Sequence, residues 1–191
     1  GVDTTTLYDI SGNGNHGTIH GATWTAEGLQ FDGSGAGYVD LGDLGSLADG
    51  YTIIVAANVP NTGADQALVS RISSFSSSTD GRGVMLVKAG TVDRYGVVQY
   101  QGQGPPYYIG AYQDAPADQW NVVAGRYDGD VIECSVNARS YWGPHSAKEI
   151  AGFKEETGSY TIGRRSPTSS WWPLTGTVGY VLVYNRPLTQ A

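Results

Sequence analysis

The stretch Trp120-Asn121-Val122-Val123-Ala124-Gly125-Arg126-Tyr127, then Asp128-Gly129-Asp130, then Val131-Ile132-Glu133-Cys134-Ser135-Val136-Asn137, decides the fold. Both flanks are rich in β-branched and aromatic residues, and the second alternates apolar with polar. Asp-Gly is a strong signal for a tight turn between antiparallel strands. The stretch reads as a β-hairpin.

The same grammar continues on either side. Tyr51 to Val59, Gln66 to Ile72, Gly83 to Val87, Tyr95 to Gln101, Tyr107 to Tyr112, Tyr160 to Gly163 and Thr177 to Tyr184 are strand candidates bounded by Gly, Pro or polar residues. Gly28 to Gly33 and Gly37 to Leu41 read as a further hairpin with its turn at Asp32 to Gly35. Residues 9–17 are so rich in Gly and Asn that they read as a folded loop. Ser73 to Ser78 is a polar loop. Ala147 to Phe153 carries a helix signal of a turn or two at most. Spacings of about 10 to 12 residues with turn signals between them predict an all-β sandwich. Composition agrees. Gly numbers 28 of 191 residues and charged residues make up only 15%, which is poor material for helices.

Several segments together resemble laminin-G-like domains of the concanavalin-A-like jelly-roll superfamily. They are Asp9-Ile10-Ser11-Gly12-Asn13-Gly14-Asn15-His16-Gly17, Gly28-Leu29-Gln30-Phe31-Asp32-Gly33 with Tyr38-Val39, and Trp120 to Gly129. Val136-Asn137, Ile162-Gly163-Arg164, Leu174 to Val178 and Val183 to Thr189 follow in the family's order. The resemblance implies a two-sheet antiparallel jelly-roll β-sandwich, with residues 1–191 as one domain. It also implies that the concave sheet and its rim loops are where relatives bind sugars. Two departures stand out. Relatives often carry an Asp-Glu pair where this chain has Gly179-Tyr180, and that Asp helps hold structural calcium in them. Asn137 is followed by Ala138 where the family often has Gly.

Charge and composition exclude several functions. The formal net charge is −7, so attraction to nucleic-acid phosphates is not expected. Arg164-Arg165 is too short to form a basic patch. No apolar run approaches the roughly 20 residues of a membrane helix. Cys134 is the single cysteine and reads as a buried strand residue. The chain begins Gly-Val-Asp, which reads as a processed product or an excised piece. An acidic, weakly charged surface points to an extracellular or virion-surface setting.

Glycoside hydrolysis needs two carboxylates about 5 to 10 Å apart. Glucanases of the superfamily arrange them as E-x-D-x-x-E, and that spacing does not occur here. Glu155-Glu156 are adjacent, and Glu133 reads as an outward strand residue. His16, His20 and His145 read as loop histidines satisfied locally, so no metal ligand set is assigned. A structural calcium has candidate ligands in Asp9, Asn13, Asn15, Asp32, Asp40 and Asp43, but the same residues serve Asx turns.

The aromatics carry the functional reading. Trp24, Trp120 and Tyr184 fall in strand-like segments and read as core. Tyr107-Tyr108 follow Pro105-Pro106, Tyr141-Trp142 precede Gly143-Pro144, and Trp171-Trp172 precede Pro173. Paired rings beside such turns are hard to bury. They suit stacking on sugar C–H faces, plugging an end of the sandwich, or packing on a partner. Tyr107, Tyr108, Tyr141, Trp142, Trp171 and Trp172 are therefore the candidate ligand-binding residues of a non-catalytic carbohydrate-binding or adhesion module. The alternatives are a virion or surface structural protein that assembles with copies of itself, and a polysaccharide-degrading enzyme.

Overall fold

The hairpin predicted around Asp128-Gly129 anchors one sheet. Strands β11 (Trp120–Tyr127) and β12 (Val131–Val136) pair antiparallel, with Arg126 opposite Glu133. The computed structural model describes residues 4–72, 82–101, 108–138, 147–149 and 158–189. Tyr107, Tyr141, Trp142, His145 and Ser73 to Ser78 lie outside them. The described residues contain strands and turns and no helix.

The remaining strands are β1 (Thr6–Leu7), β2 (Gly17–His20), β3 (Thr23–Trp24), β4 (Leu29–Asp32), β5 (Tyr38–Gly42), β6 (Tyr51–Asn58), β7 (Gln66–Arg71), β8 (Arg82–Ala89), β9 (Arg94–Gln101), β10 (Tyr108–Asp114), β13 (Ala147–Glu149), β14 (Tyr160–Ile162) and β15 (Thr175–Tyr184). They form two antiparallel sheets. One has eight strands in the order β1-β2-β5-β14-β7-β8-β9-β10. The other has seven in the order β13-β12-β11-β6-β15-β4-β3. This is the jelly-roll sandwich the sequence predicts.

Inward side chains of both sheets build the core between them. Phe31, Tyr51, Ile53, Val55, Leu68, Leu86, Tyr95, Val97, Val123, Ile132 and Tyr160 are all buried in one cluster. Burying each such side chain contributes about 1.5–3 kcal/mol. Cys134 belongs to this core, as predicted, and burial pushes its thiol up to about 12.

Three expectations are corrected. Residues 28–41 are not a hairpin: β4 lies between β3 and β15 in the seven-stranded sheet, while β5 lies between β2 and β14 in the other. The turn between them crosses from sheet to sheet, with Gly33 and Gly35 at φ 77° and 79°. Ala147–Glu149 is a strand paired with β12, not a helical turn. Trp120 and Trp24 are 42% and 38% exposed rather than core. Trp120 shares its strand parity with outward-facing Val122 and Arg126, whereas Asn121, Val123 and Tyr127 point in.

One strand group breaks the in-out alternation. Every residue of β7 is buried, and β8 and β9 are buried on both faces. A second apolar cluster, of Ala67, Ile72, Met85, Val87, Val98 and Tyr100, covers the outer face of the eight-stranded sheet there.

Candidate functional site

That outer face gathers most of the unusual side chains. Its register sets Ser70 beside Met85 and Met85 beside Val98. Ala67 stands beside Val87, Val87 beside Gly96, and Gly96 beside Tyr112. Tyr112 and Trp172 pack on the apolar cluster. The Tyr112 ring lies over Gly96 and Gly110, where a β-carbon would overlap it. Arg94 stands 6.0 Å from the Tyr112 centroid and is held by Asp114 at 3.2 Å.

The segment after β14 carries the tryptophans onto this face. The Trp172 carbonyl accepts from the Ala67 amide at 2.9 Å, which ties the segment to β7. The Trp171 carbonyl accepts from the Arg165 amide at 3.2 Å, and its own amide donates to Ser169 Oγ at 3.3 Å. The next anchor is Leu174, whose amide donates to the Gly163 carbonyl at 2.8 Å. Trp172 takes φ 57°, a conformation that costs a bulky side chain about 1–2 kcal/mol. Strain of this kind gathers where surrounding structure over-determines a residue. With the backbone fixed at both carbonyls, Trp171 remains 63% exposed.

Arg165 joins the two rings. Its guanidinium carbon is 5.7 Å from the Trp171 ring and 5.9 Å from the Trp172 ring. The side chain is buried, and burial lowers its pKa below the ordinary arginine value. Arg164 turns the other way. It stands 3.2 Å from the Tyr38 centroid, and its guanidinium donates to the Gly35 and Pro167 carbonyls. His20, opposite Tyr38 in register, stacks on that ring at 4.3 Å and 10°. The pair too short for a basic patch is thus two guanidiniums seated on aromatic rings.

Of the six residues singled out for ligand contact, Trp171 and Trp172 are brought together here. Tyr108 pairs with Tyr100 in register. Tyr107, Tyr141 and Trp142 lie outside the described residues. Sequence reading missed Arg165, Tyr112 and His20. His20 is a strand residue stacked on Tyr38 rather than a loop histidine, and the run Thr18-Ile19-His20 held the alternation that would have found it. His16 does behave as expected: its Nδ1 accepts from the Asp9 amide at 3.0 Å.

The calcium candidates Asp9, Asp32, Asp40 and Asp43 are engaged in turn hydrogen bonds. Asp9 accepts from Ser11 N, Ser11 Oγ and Asn15 N, and these bonds, the Ser11 amide foremost, lower its pKa. Asp32, Asp40 and Asp43 each accept from the amide two residues on, and Asp43 also holds Arg71. No cluster of three or more His, Cys, Asp or Glu is found among the described residues. The carboxylates near the tight turn are also engaged: Arg126 holds Glu133 at 2.5 Å and Asp128 at 3.2 Å.

Comparison with known proteins agrees with the architecture. A family model described as the concanavalin A-like lectin/glucanases superfamily matches residues 32–191, and the chain belongs to that family. No curated protein matches in sequence. Domain 4 of AbnA, an extracellular arabinanase of Geobacillus stearothermophilus solved with arabinotriose, is similar at TM-score 0.69 and 17% identity, over 96% of this chain and 88% of that one. The CBM40 module of the Ruminococcus gnavus IT-sialidase, solved with α2,3 sialyllactose, is similar at TM-score 0.57 and 16% identity, over 74% and 78%. The binding domain of botulinum neurotoxin DC is similar at TM-score 0.69 and 8% identity, and the match spans 96% of this chain but 46% of that one.

Proposed function

We propose that the chain is a non-catalytic carbohydrate-binding module, one unit over residues 1–191, that meets its glycan at Trp171 on the outer face of the eight-stranded sheet. The observation that carries this reading is an indole 63% exposed on a backbone hydrogen-bonded at both its carbonyl and its amide. An exposed ring whose backbone is already fixed loses little freedom on stacking against a sugar. Buried Arg165 holds its guanidinium against both tryptophan rings, and Tyr112 and Trp172 pack on the same apolar cluster. The glycans held by the AbnA domain and the CBM40 module support the same ligand class. The carboxylates Asp40 and Asp114 on this sheet already serve Gly42 N and Arg94, which favours contact over hydrolysis. The setting that accompanies this reading is extracellular.

The experiment is a glycan array followed by calorimetry on the folded chain. Wild type binds at least one polysaccharide, and Trp171→Ala weakens that binding about tenfold or more, the loss expected for a central aromatic anchor. Absence of binding to every glycan, or steady release of reducing ends, overturns the reading.

A further inference from the structure

The opposite side of the sandwich carries a second, differently built surface. Across the outer face of the seven-stranded sheet, one register row runs Trp120, Asn58, Thr177, Gln30 and Thr23 over β11, β6, β15, β4 and β3. Neighbouring strands are about 4.8 Å apart, so the row extends about 19 Å. The rows beside it are Val122, Ala56 and Tyr180, then Ala124, Ile54 and Leu182. None of these eleven side chains is charged. Trp120, Val122, Tyr180 and Leu182 are each 38–45% exposed. Gln30 and Thr23 are exposed and Asn58 and Thr177 half-buried, and among the described residues none of the four makes a side-chain hydrogen bond.

The departure at Gly179-Tyr180 builds this surface. The β15–β6 pairing shifts register between Val178 and Tyr180, leaving Gly179 as the extra residue of a bulge. Trp120 fills the space above it: a β-carbon on Gly179 would stand 3.1 Å from Cζ3 and 3.3 Å from Cη2 of the indole. The six-membered ring of the indole thus rests against Gly179 while the side chain stays 42% exposed. Where relatives carry an acidic pair, this chain has a seat for an indole and an exposed tyrosine.

We propose that this row is a second glycan site, one that takes a neutral polysaccharide chain laid across the strands. The inference rests on the carbohydrate-binding reading above and adds a face to it. A sugar chain offers C–H faces to Trp120 and Tyr180, and hydroxyls to the amides and hydroxyls along the row. A dry protein interface would leave those four polar side chains to be desolvated unpaired. Charge points the same way. The row is neutral on a chain of net charge −7, so an anionic polymer or a second acidic copy is repelled while a neutral polymer is not.

The test titrates wild type, W120A, G179D, the double variant Q30A/N58A, W171A and W120A/W171A with linear arabinan, arabinoxylan and hydroxyethyl cellulose, following affinity and number of sites, with light scattering alongside. W120A lowers affinity for one of these about tenfold. G179D, which lifts the ring, does so less. Q30A/N58A leaves the ring in place and still weakens binding, while W171A retains this site and the W120A/W171A variant loses both. The proposal falls if folded W120A and Q30A/N58A bind as wild type does, or if wild type is a dimer that W120A dissolves. If W171A alone abolishes binding, this site falls and the first stands. If wild type binds only charged glycans, the same division holds, and if it binds none, both fall.

Discussion

The ring of Tyr112 lies across Gly96, its register partner on β9, and reaches over Gly110 on its own strand. Two glycines and one tyrosine therefore form one unit at the edge of the eight-stranded sheet. The ring lies flat because neither neighbour has a β-carbon.

Gly96→Ala tests that unit. The added methyl lands on the ring, so the variant loses about 1–3 kcal/mol in urea unfolding, the usual cost of overpacking. Combining it with Tyr112→Ala recovers part of the loss, because the clash needs both partners. Strict additivity of the two changes would place the ring elsewhere.

Trp171 and Trp172 are adjacent but differ in physical role. Trp171→Ala leaves stability nearly unchanged, since most of that side chain already faces water. Trp172→Ala destabilises by removing the ring from the Met85–Val98 cluster. Trp172→Gly loses the same ring but accepts φ 57° freely, so it is more stable than the alanine variant by about 1 kcal/mol. Thermal or urea melts of the three variants check this ordering; equal stability of the Ala and Gly variants would deny the backbone strain.

After β12 the chain passes through Asn137 at φ 55° and Ala138 at φ 53°. Ala138 is held in the left-handed region, which favours glycine, at a cost. Asn137 keeps the turn in place: its Oδ1 accepts from Val122 N at 2.9 Å and its Nδ2 donates to Asn121 Oδ1 at 2.9 Å. Ala138→Gly therefore raises the unfolding free energy by about 1 kcal/mol. A lower urea midpoint for that variant would count against the turn as described.

What was legible in the chain follows from how local each signal is. The β11–β12 hairpin lies wholly within one stretch, and its Asp-Gly turn and alternation carried it. Residues 28–41 hold equally good turn chemistry, yet Gly33 and Gly35 serve a crossing between sheets. Only the distant partners β15 and β14 decide that. Trp120 lies on a strand yet faces outward: strand membership alone does not give burial, and Arg126, in phase with it, marks the outward face. Arg165 and Tyr112 gave no local sign, since their partners lie on other strands. The buried outer face of β7 to β9 was equally hidden, because a strand covered on both sides loses the alternation that marks orientation.

The core sets a pH limit on the fold from the alkaline side. Burial raises the Cys134 thiol from 9.0 to about 12 and the Tyr95 hydroxyl from 10.0 to about 12, and it raises Tyr51 well above its usual value. In each case the neutral form is the buried one. The unfolded chain ionises first, so the stabilisation is complete below pH 9 and is lost progressively as pH climbs towards 12. The urea midpoint therefore declines above pH 9. Cys134→Ala flattens the first part of that decline, although it lowers stability at neutral pH through lost packing. Tyr95→Phe flattens the part above pH 10. A folded protein whose Cys134 reacted with a thiol reagent at pH 9 as fast as an unfolded peptide would show that the thiol is not shut between the sheets.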